Sequence, residues 1–164
     1  MMKSNCKLLL CLLSLAALVE APDPDECPHD WYEFYTEDDE GNRLCAKFNS
    51  NRKKYDDAVE YCGDQDTELI SLHSLDEYYE LLEYLEEENT RKKHVWIGLN
   101  DKYEEGTWEW EDGNALYEFD AWDDGEPDSR VGEEDCAMIH GRKLKWHDYP
   151  CHGRLPFVCA YRLY

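Results

Sequence analysis

Apolar and polar positions along the chain divide it into three regions. "LLLCLLSLAALV" (Leu8–Val19) is an apolar run of twelve behind the basic Lys3 and Lys7. A bilayer-spanning helix needs roughly 20 such residues, so the run is too short. With small residues at Ala16, Ala17 and Ala21 it reads as a secretory signal peptide over 1–21, cleaved after Ala17 or Ala21. The competing reading is a buried core helix, and the basic flank and N-terminal position weigh against it. "PDPDECP" (Pro22–Pro28) then predicts a short extended linker at 22–26, with one domain over 27–164. No second apolar stretch is long enough to cross a membrane, so the mature protein is expected to be secreted.

In the middle region the pattern turns from hairpin to helix. Trp31–Phe48 holds two aromatic runs around "EDDEGN", a hairpin signal with a charged tip at Gly41–Asn42. The acids Glu37–Glu40 are read as a solvated loop. Tyr55, Ala58, Val59 and Cys62 recur at i, i+3, i+4 and i+7, one face of a helix that stops at Gly63. A second helix opens at "SLDE", where Ser74 and Glu77 form a capping-box pattern. Tyr78, Leu81, Leu82 and Leu85 line its buried face. Glu86–Glu88 crowd its C-terminus, where acids oppose the helix dipole.

After Arg91 the runs become short and rich in Trp, Val, Ile and Tyr. "VWIGL", "TWEW", "CAMI", "KLKW" and "PFVCAY" predict strands. Between the second and third of these lies Glu111–Asp135, acidic, broken by Gly and Pro, and without periodicity. A loop of that length in a compact domain is usually functional.

Composition narrows the function. With 39 Asp+Glu against 17 Lys+Arg the net charge is -22, which argues against nucleic acid and anionic membranes, whose phosphates need Lys and Arg. Aromatic residues at 13% and hydrophobic ones at 42% separate it from disordered acidic chains. Cys6 and Cys11 leave with the signal. Cys27, Cys45, Cys62, Cys136, Cys151 and Cys159 remain, an even set that implies disulfides in an oxidising compartment, with fifteen pairings open. No Cys-x-x-Cys pair supports zinc. The stretch "EPDSRVGEEDC" (Glu126–Cys136) carries Glu126, Asp128, Glu133, Glu134 and Asp135. Carboxylates packed this closely repel one another unless a cation sits among them. The loop is read as a cation cage, against the alternative of a solvated acidic loop.

"VWIGLND" (Val95–Asp101), "EPD" (Glu126–Asp128), "GEEDC" (Gly132–Cys136), "KWHDYPC" (Lys145–Cys151) and "PFVC" (Pro156–Cys159) stand in order. Together they resemble the C-type lectin-like domain, and "CPHDW" (Cys27–Trp31) resembles the added N-terminal hairpin of the family's long form. The resemblance covers Cys27 to Tyr161. It implies an α+β fold in which two helices pack on small antiparallel sheets and a long calcium-binding loop emerges from one end. It also implies the pairs Cys27–Cys45, Cys62–Cys159 and Cys136–Cys151, and places Trp96, Ile97 and Leu99 in the core.

The same resemblance implies a sugar-binding Ca2+ site formed by Glu126, Asp128, Glu134, His147 and Asp148, with Pro127 cis so that both flanking side chains face the ion. Ca2+ takes six to eight oxygen ligands. His147 departs from the usual Asn of sugar-binding members, and imidazole is a poor oxygen substitute; it either stands aside, contacts sugar, or is a plain surface residue. A second, structural site matches Asp101, Glu105, Glu134 and Asp135, with Ser129 where an acid would strengthen it. "EPD" is a hybrid of the family's mannose-type and galactose-type motifs, and both of its side chains only accept hydrogen bonds. The ligand is therefore expected to be a glycan of either type with a lean to mannose, and His147 or Arg130 to supply a missing donor. Trp122 offers either an apolar face to a sugar ring or a buried side chain. A glycosidase acid/base pair is the enzymatic rival and lacks any second motif. The stronger rival is a calcium-mineral or protein partner without sugar binding. No coiled-coil heptads precede Cys27, so trimerisation through a stalk is not expected.

Overall fold

The computed structural model describes residues 26–35, 43–90, 92–116, 119–130 and 133–163. The signal segment, nearly all of the linker, the hairpin tip with Glu37–Glu40, and Arg91 lie outside the described residues. β1 (Tyr32–Tyr35) pairs antiparallel with β2 (Arg43–Lys53), Tyr32 opposite Ala46 and Tyr35 opposite Arg43, as the aromatic runs predict. α1 (Tyr55–Gly63) and α2 (Leu75–Glu87) flank β3 (Glu68–Leu69). β4 (Val95–Asn100), β5 (Glu109–Trp110), β6 (Cys136–His140), β7 (Lys145–Tyr149) and β8 (Leu155–Leu163) follow.

Among the described residues the strands run β1-β2-β8-β4-β6-β7, with β3 on β8 and β5 on β4. Every pairing is antiparallel except β4–β8, which meet in parallel at Trp96 and Phe157. The two antiparallel sets implied by the resemblance are thus joined into one network. A parallel neighbour needs a long crossover, and the stretch from β4 to β8 supplies it. β3 escaped the pattern reading because two residues carry no period. β3 itself explains Gly98 of β4: a Cβ there would sit 2.3 Å from the Leu69 carbonyl oxygen.

α1 buries Tyr55, Ala58 and Cys62, leaves Val59 half-buried, and runs through Gly63. In α2 the Ser74 hydroxyl accepts from the Glu77 N–H at 3.1 Å. The return half of the capping box is displaced by one residue: Glu77 Oε2 accepts from the His73 N–H at 2.6 Å, and the Arg162 guanidinium forks onto the same carboxylate. Tyr84 joins Tyr78, Leu81 and Leu85 on the buried face, while Leu82 is half-buried. Tyr84 fits because its hydroxyl accepts the Phe48 N–H at 2.8 Å.

Trp96, Ile97 and Leu99 are fully buried. The core has two parts, one beneath α2 and one around Tyr55, Trp96 and Phe157 beneath α1. The disulfides join Cys27–Cys45, Cys62–Cys159 and Cys136–Cys151 over separations of 18, 97 and 15 residues.

Candidate cation-binding site

The long acidic segment is pinned to β7 from beneath. Asp123 N–H donates to the Trp146 carbonyl at 3.0 Å, and Trp146 N–H donates to Ala121 at 2.9 Å. Trp122 lies half-buried against Trp108 and Trp146, with ring centroids 4.7 and 5.8 Å away, so it serves the underside of the loop. Trp146 is fully buried and β7 alternates, which leaves Asp148 on the same face as Trp146 and His147 on the other.

At the loop's turn the Glu126–Pro127 peptide is cis. One ligand oxygen each from Glu126, Asp128 and Asp148 lies within 4.8 Å of the others. Asp148 is 4% exposed, and its Oδ2 accepts from the N–H groups of Asp128 (2.9 Å) and Ser129 (2.7 Å). Its Oδ1 is buried with no hydrogen-bond partner. Asp128 accepts from its neighbour Arg130, whose backbone N–H and Nε each approach to 3.0 Å. That engages the guanidinium expected as a free donor to sugar.

A second group holds Asp101, Glu105 and Asp135, again within 4.8 Å. Asp101 is 6% exposed; Oδ2 accepts from the Gly106 N–H at 2.8 Å, and Oδ1 is buried without a partner. Ser129 Oγ donates to Glu105 Oε1 at 2.9 Å and ties the two groups together. Glu134, expected in both sets, is buried at 7% exposure but stands outside both groups.

His147 is not a plain surface residue. Its Nδ1 is 3.0 Å from Glu126 Oε1 and its Nε2 is 3.0 Å from Asp123 Oδ2. Its ring stacks on His140 with centroids 4.7 Å apart. Asp123, which no motif marked, is thereby part of the site's border. A hydrogen bond from Lys143 holds its carboxyl below the usual range.

The electrostatics favour a positive guest. Partial burial, then a hydrogen bond shared with Asp148 and the charge of Asp128, push Glu126 from 4.5 up to about 7. Burial raises Asp101 despite the Gly106 N–H, and Glu105 and Asp135 add to it. Burial raises Asp135 too, with Glu105 and Glu133 beside it. Each group also keeps one buried carboxylate oxygen without a donor, an arrangement that costs free energy until a positive group arrives. The donors are all oxygens, the set that suits a hard divalent cation such as Ca2+. The residues present fit that ion.

The family model described as Lectin C-type domain matches residues 51–161. A C-type lectin of Micrurus corallinus is 32% identical over 154 residues, covering 92% of each chain. A C-type lectin mannose-binding isoform of Notechis scutatus scutatus is 33% identical over 137 residues, 81% of this chain and 82% of that protein. Among solved structures, human lithostathine superposes with a TM-score of 0.75 at 28% identity, covering 90% of this chain and 99% of that one. The chain belongs to the C-type lectin domain family. That membership places it among lectin domains, not enzymes, and no helix of the described residues is long and apolar enough to cross a membrane.

Proposed function

We propose that this chain is a secreted, Ca2+-dependent carbohydrate-binding protein. The observation that carries the reading is Asp148: a nearly fully buried carboxylate, held in place by two backbone N–H groups, with its second oxygen unpaired beside Glu126 and Asp128. Glu126, Asp128 and Asp148 would hold the ion, with Glu134 buried nearby in sequence to β6; Asp101, Glu105 and Asp135 would hold a second. A bound Ca2+ would supply coordination for two adjacent sugar hydroxyls. Around it the chain offers acceptors: Glu126 and Asp128 take hydrogen bonds from those hydroxyls. His147, wedged between Glu126 and Asp123, orients the Glu126 carboxylate rather than replacing an oxygen ligand. The lean to mannose-type glycans rests on Glu126 and is supported by the mannose-binding relative.

Calorimetry and a glycan array with and without chelator test this. Ca2+ is expected to bind, to raise the melting temperature because it binds only the folded loop, and to be required for retention of mannose-type glycans. No binding at millimolar Ca2+ ends the reading. Ca2+ binding with no glycan retained replaces it with a mineral or protein partner.

A further inference from the structure

The charges of this acidic chain are segregated. Residues 43–55, 89–100 and 136–147 contain no Asp or Glu, although 39 of the 164 residues are acidic. These segments are far apart in sequence, and the fold brings parts of all three to one end of the sheet. Lys92 N–H donates to the Gly141 carbonyl at 3.0 Å. The Trp96 indole donates to the Lys53 carbonyl at 3.0 Å, which lays the end of β2 beside the start of β4. His94 packs on His140 with ring centroids 4.5 Å apart, and the N–H groups of Arg142 and Lys143 lie 3.4 and 3.3 Å from His140 Nδ1. Arg52 reaches across to the Arg154 carbonyl at 2.9 Å; burial, then His147 and Arg52, lower the pKa of His94.

The side chains of Arg52, Lys92, Lys93 and Arg142 are exposed. Among the described residues none of the four has a carboxylate at salt-bridge distance, whereas Lys143 is paired with Asp123. Burial, with its neighbours, holds His140 as well as His94 below the usual range, so near neutral pH the positive charge of this end comes from Lys and Arg. Elsewhere the protein repels anions, but the Debye length is about 8 Å at physiological salt and the patch acts locally. Clustered Lys and Arg are the chemistry that takes phosphate or sulfate, with Arg offering a two-pronged donor. The His94–His140–His147 stack makes the patch continuous with the loop that carries Glu126.

We propose that this face is a second glycan surface that binds a sulfated polysaccharide through Arg52, Lys92, Lys93 and Arg142. The sugar character of the partner follows from continuity with the loop; the sulfate character follows from the patch. Binding here needs no ion in the loop, so the two surfaces fail or succeed separately.

Immobilised heparin is the probe, with the full secreted protein in chelator at physiological salt. Wild type is expected to be retained. Replacing Arg52, Lys92, Lys93 and Arg142 by Gln is expected to weaken binding at least about tenfold and to flatten its salt dependence by nearly one log unit per lost contact. Asp148→Asn and the control Lys47→Gln are expected to bind heparin as wild type does. Should the fourfold variant not be secreted, Arg52→Gln with Arg142→Gln, and Lys92→Gln with Lys93→Gln, are each expected to show part of the loss. No retention in chelator, undiminished retention of the variants, or equal binding to desulfated heparin overturns the proposal. An oligonucleotide of matched charge bound as tightly would overturn the sulfated-sugar assignment.

Discussion

Asp148 spends one oxygen on two backbone N–H groups and leaves the other buried and unpaired. A buried polar atom without a partner costs roughly 1–3 kcal/mol, and a cation is the simplest relief. Asp148→Asn keeps an acceptor for the loop but removes a charge; it is expected to weaken Ca2+ binding by at least about tenfold, equivalent to about 1.4 kcal/mol. Calorimetry showing wild-type affinity would remove Asp148 from the cage. Glu126 makes a pH prediction. Its folded pKa of about 7 lies above the ordinary 4.5, so the ion-free fold binds more protons than the unfolded chain between these values. The stability it contributes is present below about 4.5 and is lost as pH rises through about 7. Melting temperatures in chelator are expected to fall less steeply over that window in Glu126→Gln than in wild type; parallel profiles would contradict the shift. Half-buried Glu68, also at about 7, gives both proteins a common slope of the same sign, so only the difference reports Glu126. The carboxylates of both groups were legible as residues in "EPD", "GEEDC", "WHD" and "DKYEEG". The contact of His147 with Asp123 was not, because residues 24 apart meet only when β7 docks under the loop.

At the level of elements, α2 shows how a local signal and a distant one combine. Ser74 caps the helix as its spacing predicts, yet Glu77 turns to His73 and to Arg162 on β8. Glu77 is 3% exposed, so its charge depends on that partner. Arg162→Leu is expected to cost about 3–5 kcal/mol by stranding a buried carboxylate. Replacing both residues by Leu is expected to recover much of the loss, and denaturant titration of the two variants decides. Equal destabilisation would mean that the pair's packing, not its charge, matters. Gly98→Ala is expected to force β4 away from β3, since the Leu69 carbonyl occupies the space of a Cβ; wild-type secretion and melting temperature would show that the strands can part. The helices were readable because each is long enough to show its period, and β4, β6 and β8 because each is an apolar run holding β-branched or aromatic residues. The two-residue β3 was not, and KLKW shifted because its first residues form the turn before β7.

For the whole molecule, the cross-links scale with the loops they close. Cys62–Cys159 spans 97 residues and Cys27–Cys45 spans 18. In the chain-entropy view these restrain the unfolded state by about 4.7 and about 3 kcal/mol. Removing the first by paired Cys→Ser changes is therefore expected to lower the melting temperature more than removing the second; the reverse order would point to packing around Cys27 as the larger effect. Peptide mapping is expected to find all six cysteines bridged. Amino-acid order alone determined what is local: helix faces from a 3.6-residue period, strands from β-branched and aromatic runs, the acidic loop from its composition, and an even cysteine set from its count. The motifs in their order carried the family and, through it, the pairing of cysteines. Only the tertiary structure decided which acids converge, which carboxylate oxygens are left without a donor, and that three acid-free segments share one end. The reason is physical: charge, burial and hydrogen-bond satisfaction are properties of neighbours in space, and strands such as β4 and β8 become neighbours only when the chain between them has folded.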